Sequence, residues 1–320
     1  MKVQYIFLLL LPLLLIGCSS STSSPQDQKV ALLLEDTIDD QGWNSKGFQG
    51  LLNIHANMDM EVMFKEDVNT EKETIRAVNE FIKDDVGLIF GHGRIFADFF
   101  TQLGKEHPNV HFVSFNGDVE GENVTSLHFD SYSMGYFAGM IASAMSKSDH
   151  VGVIAAYPWQ PEVKGFEEGA NIGRDMKGVH ISYVGDWANK EKALDHFKQL
   201  QKEQVDVFYP TGDGYHVDVI EEAKKEGLFV IGYVSDQSDL GESTVLTSTI
   251  QHVDHLYELV AKQYKKNELK SGNIGFDFKD GVISLGEFST VVPEKIKKQL
   301  EEAVEKYIET GQLPTEPLLY

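Results

Sequence analysis

Two tryptophans stand in polar, glycine-bearing loops rather than in apolar runs. Trp43 lies in "DDQGWNSKGF" (39–48), with Asp40 and Asn44 beside it, and Trp187 lies in "YVGDW" (183–187). Each follows a strand-like segment, one in each half of the chain. Two flat rings facing each other across a cleft would sandwich a planar guest such as a nucleobase, because stacking buries both of its faces. The alternative is that each ring packs on its own half as a rim residue. Trp159, between Pro158 and Pro161, reads as a cover over a strand end.

The remaining polar loops offer binding groups rather than a reaction centre. "TGDGY" (211–215) precedes a helical stretch. There Gly212 would let the backbone approach a ligand, and helix N-terminal amides attract anions or hydroxyl oxygens. Asp213 would accept from a sugar hydroxyl, or else cap the helix that follows. His92 in "GHG" (91–93) has no second histidine or acid at metal-ligand spacing, so it reads as a loop histidine that touches a ligand or solvent. "DFKDG" (277–281) lacks the acidic series of a calcium loop. No "GxSxG" and no "HExxH" occurs, and the lone cysteine sits at position 18. An enzyme needs a nucleophile with a base, or a tuned pair of acids; nothing here singles one out, and no cofactor is expected.

The elements that must carry these loops alternate along the chain. Apolar runs of strand length occur at 30–35, 60–64, 86–91, 110–117 and 124–129, and again at 150–157, 179–185, 205–212 and 227–234. Amphipathic stretches such as "TEKETIRAVNEFI" separate most of them, and "YSMGYFAGMIASAMS" is a helix with small residues suited to close packing. Apolar strands joined by helices predict parallel sheets covered on both faces. Two successive sets predict two lobes, with ligands beyond the carboxyl ends of the strands. The end is mixed: "STVLTSTI" (243–250), a helix to about 267, then "GFDFKDGVISLGEF" (275–288), where Asp280-Gly281 between alternating runs is a hairpin signal. Such a segment suggests that the chain crosses back between lobes. The expected division is lobe 1 from 29–128 plus about 250–284, and lobe 2 from 129–249 plus about 285–314. No internal sequence repeat and no P-loop is visible.

The chain has 320 residues and a net charge of -22. Such acidity disfavours direct nucleic-acid binding, since affinity for DNA comes largely from Lys and Arg displacing counterions. Residues 1–17 carry one charge, Lys2, then an apolar core ending in "LIGC" (15–18). The core is too short for a spanning helix and reads as a secretory signal. Residues 18–28 read as a flexible polar tether.

A small residue followed by Cys18 resembles the bacterial lipoprotein box, which implies cleavage before Cys18, lipid on its sulfur and attachment to the outer face of the cell membrane; the alternative is a plain signal with a chance cysteine. The folded part, nearly all of 29–312, resembles the basic membrane protein (BMP) family of substrate-binding lipoproteins. The family's "DDKSFNxxxxxGL" corresponds to "DDQGWNSKGFQGL", its "GFxAGA" to "GFEEGA" (165–170), its "YVGSF" to "YVGDW" and its glycine-rich loop to "TGDGY". The resemblance implies an α/β, two-lobed periplasmic-binding-protein fold of the ribose-binding kind. It also implies a nucleoside-like ligand delivered to an ABC permease. The implied contacts are Asp40, Trp43, Asn44, His92, Trp187, Gly212, Asp213, Tyr215, Asp236 and Gln237, with Trp43 and Trp187 as the stacking rings. Two positions depart from the pattern. The family's ribose-binding aspartate is Val234 in "GYVSDQ", and its lysine is Gln251 in "TSTIQHVD". These departures, with "GHG", "WQPEV" and "YPTGDGY", resemble a Bacillus subgroup tied to positive regulation of competence-gene expression. For that subgroup a membrane relay partner is expected in place of direct DNA contact.

Overall fold

The computed structural model describes residues 29–319 apart from Gln41 and Arg174, and of Asp40 only the backbone. Cys18, the signal 1–17 and the tether 18–28 lie outside the described residues.

The first half runs β1 (Lys29–Leu34), α1 (Trp43–Met58), β2 (Glu61–Lys65), α2 (Glu71–Lys83), β3 (Leu88–His92), α3 (Phe96–Glu106), β4 (His111–Phe115) and β5 (Val124–Phe129). The second runs α4 (Ser131–Met145), β6 (His150–Ala155), α5 (Pro161–Asn171), β7 (Gly178–Tyr183), α6 (Lys190–Lys202), β8 (Val207–Thr211), α7 (Tyr215–Glu226), β9 (Phe229–Val234) and β10 (Val245–Gln251). The chain closes with α8 (Val253–Lys265), β11 (Gly272–Phe276), β12 (Ile283–Leu285) and α9 (Glu294–Thr310).

Strand identity follows from two-sided burial. All five residues from Val30 to Leu34 are wholly shielded, and so are Leu88, Ile89 and Phe90 beside them in β3. Such strands need helices above and below. The two sheets run β11-β5-β4-β3-β1-β2 and β12-β10-β9-β8-β6-β7. β6 to β10 occupy the places of β1 to β5, so the lobes repeat one topology although no sequence repeat is visible. The architecture is the two-lobed, periplasmic-binding-protein-like fold. In each sheet the order reverses beside the first strand: between β1 and β3, and between β6 and β8. A crevice opens outside the carboxyl ends at such a reversal.

The chain passes between lobes after β5, after β10 and after β11. The hairpin expected around Asp280-Gly281 does not form. Gly281 does turn the chain, with φ +70°, but β11 pairs parallel with β5 in one sheet and β12 pairs antiparallel with β10 in the other. Two alternating runs flanking a turn look alike whether they pair with each other or with separate partners. Asp130 ties the crossings together. Its N–H donates to the Phe276 carbonyl at 2.8 Å, and its carboxylate accepts from Tyr307 of α9 at 2.9 Å.

α4 and α5 pack at the close distance that their small residues anticipate. A Cβ on Gly135 would collide with the Glu162 carbonyl, and one on Gly165 with the Tyr132 carbonyl. Only glycine permits that approach. Pro161 opens α5 at its first turn, where a missing N–H costs nothing. The N-terminus of α5, bearing Gln160 and Glu162, is thereby held rigidly at the lobe boundary.

The inter-lobe cleft as candidate ligand site

The two crevices face each other across one cavity of about 450 Å³. Lobe 1 contributes Glu35 and Asp36 after β1, Trp43 and Asn44 opening α1, Arg94 after β3, and His128 of β5. Lobe 2 contributes Tyr157, Trp159, Gln160 and Glu162 after β6, Asp186 and Trp187 after β7, and Asp213 after β8. Tyr233, Val234 and Gln251 form part of the same wall. A cavity of this size suits a small organic ligand.

Both loop tryptophans line this cavity. Trp43 stacks on His92, with ring centroids 4.3 Å apart and planes 14° from parallel, and its edges meet Phe115 and Phe129 at 5.6 and 5.9 Å. Its indole Nε1–H donates to the His92 carbonyl at 3.3 Å. One face of Trp43 is thus fixed by the protein. Trp187 meets Tyr157 and Trp159 edge-on at 5.4 and 5.6 Å, while Tyr157 and Trp159 stack at 5.5 Å. Trp159 is therefore part of the cavity wall, not only a cover over a strand end, and is 48% exposed. The Arg94 guanidinium from the other lobe lies over its ring at 5.1 Å.

His92 is neither solvated nor at the cavity surface. It is the last residue of β3, wholly shielded, and lies behind Trp43. Its Nε2 meets the Trp43 carbonyl at 2.7 Å and its Nδ1 meets the Tyr257 hydroxyl at 2.9 Å. A carbonyl only accepts, so Nε2 carries the proton and Nδ1 accepts from Tyr257. Burial holds the ring neutral, with its pKa down to about 3. A Cβ on Gly47 of α1 would stand 2.7 Å from this ring, so the glycine in "WNSKG" admits the imidazole. His92 backs Trp43 and does not line the cavity.

Asp213 does not cap the helix that follows it. Its Oδ1 accepts the Trp43 backbone N–H at 3.2 Å, across the cleft, at the N-terminus of α1. Gly42, the residue before that helix, has no side chain to cap it, and a Cβ there would approach the same Asp213 oxygen to 2.8 Å. Gly212 and Tyr215 lie behind this wall: Tyr215 is fully buried and its hydroxyl donates to the Ile154 carbonyl at 3.1 Å. Only Asp213 of the "TGDGY" loop reaches the cavity.

Asp236 and Gln237 also turn away from it. Asp236 accepts the Glu287 N–H at 2.9 Å and the Ser238 N–H at 3.1 Å, and so anchors the strand crossing beside β12. Gln237 accepts the Tyr233 N–H at 3.0 Å and donates its own N–H to Ser248 at 3.0 Å. Both hold the end of β9. Val234 and Gln251, at the two departing positions, do line the cavity. Val234 has φ +66°, a left-handed conformation that a β-branched residue strongly resists.

Sequence reasoning named Asp213 but missed the other acids of the wall, Glu35, Asp36, Glu162 and Asp186. Glu35 is half-buried, and desolvation followed by the charge of Asp36 raises its pKa to about 7. Glu162 is 2% exposed and accepts from the Tyr233 hydroxyl at 2.8 Å and from Gln160 Nε2 at 2.9 Å. Burial raises its pKa as well. Both stand just after a strand or open a helix at the crevice, which was the available signal.

Comparison with known proteins agrees with this geometry. A family model described as ABC transporter substrate-binding protein, PnrA-like, matches residues 27–316. The transcriptional activator protein Med of Bacillus subtilis is 43% identical over 302 residues, covering 94% of this chain and 95% of that protein. A purine-binding protein of Brucella abortus is 28% identical over 258 residues, covering 79% of this chain and 72% of that protein. The crystal structure of a transcriptional activator of the comK gene from Bacillus halodurans superposes with a TM-score of 0.83 at 54% identity, covering 89% of this chain and 99% of that one. Among the described residues no helix is long and apolar enough to cross a membrane. With its cleft, its sheet order and a match across nearly its whole folded length, the chain belongs to the PnrA-like substrate-binding proteins of the BMP family, which bind and do not catalyse.

Proposed function

We propose that this chain is a membrane-tethered sensor of the Med kind, which promotes competence-gene expression indirectly and uses its inter-lobe cleft to register a small ligand. The observation that carries the reading is end-to-end likeness to two activators, 43% identity over 94% of the chain in one case and 54% over 89% in the other. The retained cavity, with rings from both lobes, supports a ligand-responsive device. Closure of two lobes on a ligand presents a changed surface to a partner. The net charge of -22 opposes direct promoter binding, so a membrane relay partner fits better than DNA.

A second reading, a receptor delivering a nucleoside-like ligand to an ABC importer, is favoured by Trp43 and Trp187 sharing one cavity and by the purine-binding relative. It is weakened at Val234, which offers no acceptor where the family resemblance implies one for ribose. An unpaired buried hydroxyl costs about 1–3 kcal/mol.

The test is a competence-gene reporter in a strain lacking the gene. Wild type should restore expression, while Cys18→Ala and a leaderless version should not. Full restoration by the leaderless, cytosol-retained version would overturn action from outside the membrane. Loss of importer-dependent nucleoside uptake without any change in the reporter would favour the second reading.

A further inference from the structure

We propose that the ligand of this cleft is a planar cation, such as an N-alkylated heteroaromatic ring. The inference rests on the cleft being a ligand site and names the chemistry it selects.

The wall carries five carboxyl groups, Glu35, Asp36, Glu162, Asp186 and Asp213, against one guanidinium, Arg94. Between them stand the aromatic side chains of Trp43, Trp159, Trp187, Tyr157 and Tyr233. Aromatic faces with carboxylates behind them attract cations, because ring quadrupole and formal charge act in the same direction. The protein already uses one of these faces in that way: Arg94 of one lobe sits over Trp159 of the other at 5.1 Å. Trp43, backed by His92 on one side only, offers a second plane suited to a flat guest.

Glu162 is buried and Glu35 half-buried, and among the described residues neither forms an ion pair. Glu162 is held by Tyr233 and Gln160, both neutral donors, and the other groups whose charge it feels or imposes are the hydroxyls of Tyr209 and Tyr215. Glu35 faces Asp36, the Ile95 N–H and Tyr157. Among the described residues no cation acts on either acid, and burial keeps both protonated further up the pH scale than usual. A bound cation would supply the missing charge, favour the ionised carboxylates and release protons on binding. A neutral base would do neither.

The experiment uses isothermal titration of the full chain, purified in mild detergent, with two matched pairs: 1-methyladenosine against adenosine, and the pyridinium 1-methylnicotinamide against nicotinamide. Each titration is run in two buffers of different ionisation enthalpy, which reads proton release directly. The expected result is that the cation of at least one pair binds about ten-fold tighter or more than its neutral partner and releases protons at pH 7. Glu162→Gln should then reduce the cation's advantage, and the exposed Asp186→Asn, which cannot disturb the core, should reduce it by a smaller factor. Equal or tighter binding of the neutral partners, or no binding by any of the four, overturns the inference. Neither result touches the proposed regulatory role, which the reporter assay decides separately.

Discussion

The carboxylate of Asp213, on lobe 2, accepts the backbone N–H of Trp43, the first residue of a helix in lobe 1, at 3.2 Å. One lobe therefore supplies the N-terminal cap of a helix that belongs to the other. Gly42 cannot cap α1 itself, so the bond satisfies an orphan amide and at the same time links the two lobes.

Asp213→Ala should consequently do two things. It should lower stability by about 1 kcal/mol, the usual worth of a cap, with some further loss because the lost group is a carboxylate at a helix N-terminus. It should also open the lobes, raising the radius of gyration in small-angle scattering of ligand-free protein. A destabilised variant with unchanged scattering would mean that other contacts, such as Arg94 with Trp159, keep the lobes together.

The two stacking candidates should separate in stability. Trp43 is wedged against His92, Phe115 and Phe129, so Trp43→Ala should cost about 2–4 kcal/mol as well as ligand affinity. Among the described residues the Trp187 ring meets the rings of Tyr157 and Trp159 at the rim, so Trp187→Ala should cost about 1 kcal/mol or less. Chemical denaturation of both variants checks this. Similar losses would place Trp187 in the packing of lobe 2 rather than in ligand contact.

Glu35 should make stability fall with rising pH. Its folded pKa of about 7 lies above the ordinary 4.5, so between those values the folded state holds the proton more tightly than the unfolded state. Its contribution is intact below about pH 4.5 and is lost progressively up to about pH 7, by about 3 kcal/mol at most. Glu162, raised in the same direction, adds to this slope. Glu35→Gln should flatten the profile of unfolding free energy across that window; an unchanged slope would assign it to Glu162 alone.

Val234→Asp should create adenosine binding where the wild type is weak. The substitution places a carboxylate in the cavity wall, and aspartate tolerates the left-handed φ of +66° better than valine. A hydrogen bond from a sugar hydroxyl to a charged acceptor is worth about 1.5–3 kcal/mol, or about ten- to a hundred-fold in affinity. The control is 2′,3′-dideoxyadenosine, which should gain nothing; an equal gain with both would mean relief of backbone strain rather than a restored sugar contact.

Much of the architecture was readable because β1 from Val30 to Leu34 and β3 from Leu88 to Phe90 are apolar on both faces and the helices between them are not. Trp43 and Trp187 were readable as cavity residues because each follows a strand at its carboxyl end. Tyr215 and Gly212 misled for the same reason. They share a loop with Asp213, yet Tyr215, as the first residue of α7, turns its hydroxyl under the sheet to Ile154. Asp236 misled because the segment just after β12, whose Glu287 N–H occupies it, is far away in sequence. His92 misled because a glycine on each side suggests an open loop, whereas Gly47, on another helix, makes the room it fills.

The sequence alone determined the alternation of strands and helices, the two-lobe plan and which loops stand at the crevice, since periodicity and burial are local properties of the chain. The tertiary structure decided which member of each loop looks into the cavity, that Asp213 caps a helix 170 residues away, and that five carboxyl groups and the aromatic rings converge on one space. Those outcomes depend on how one lobe is set against the other. No short stretch of residues encodes that, because it arises from three separate crossings of the chain acting together.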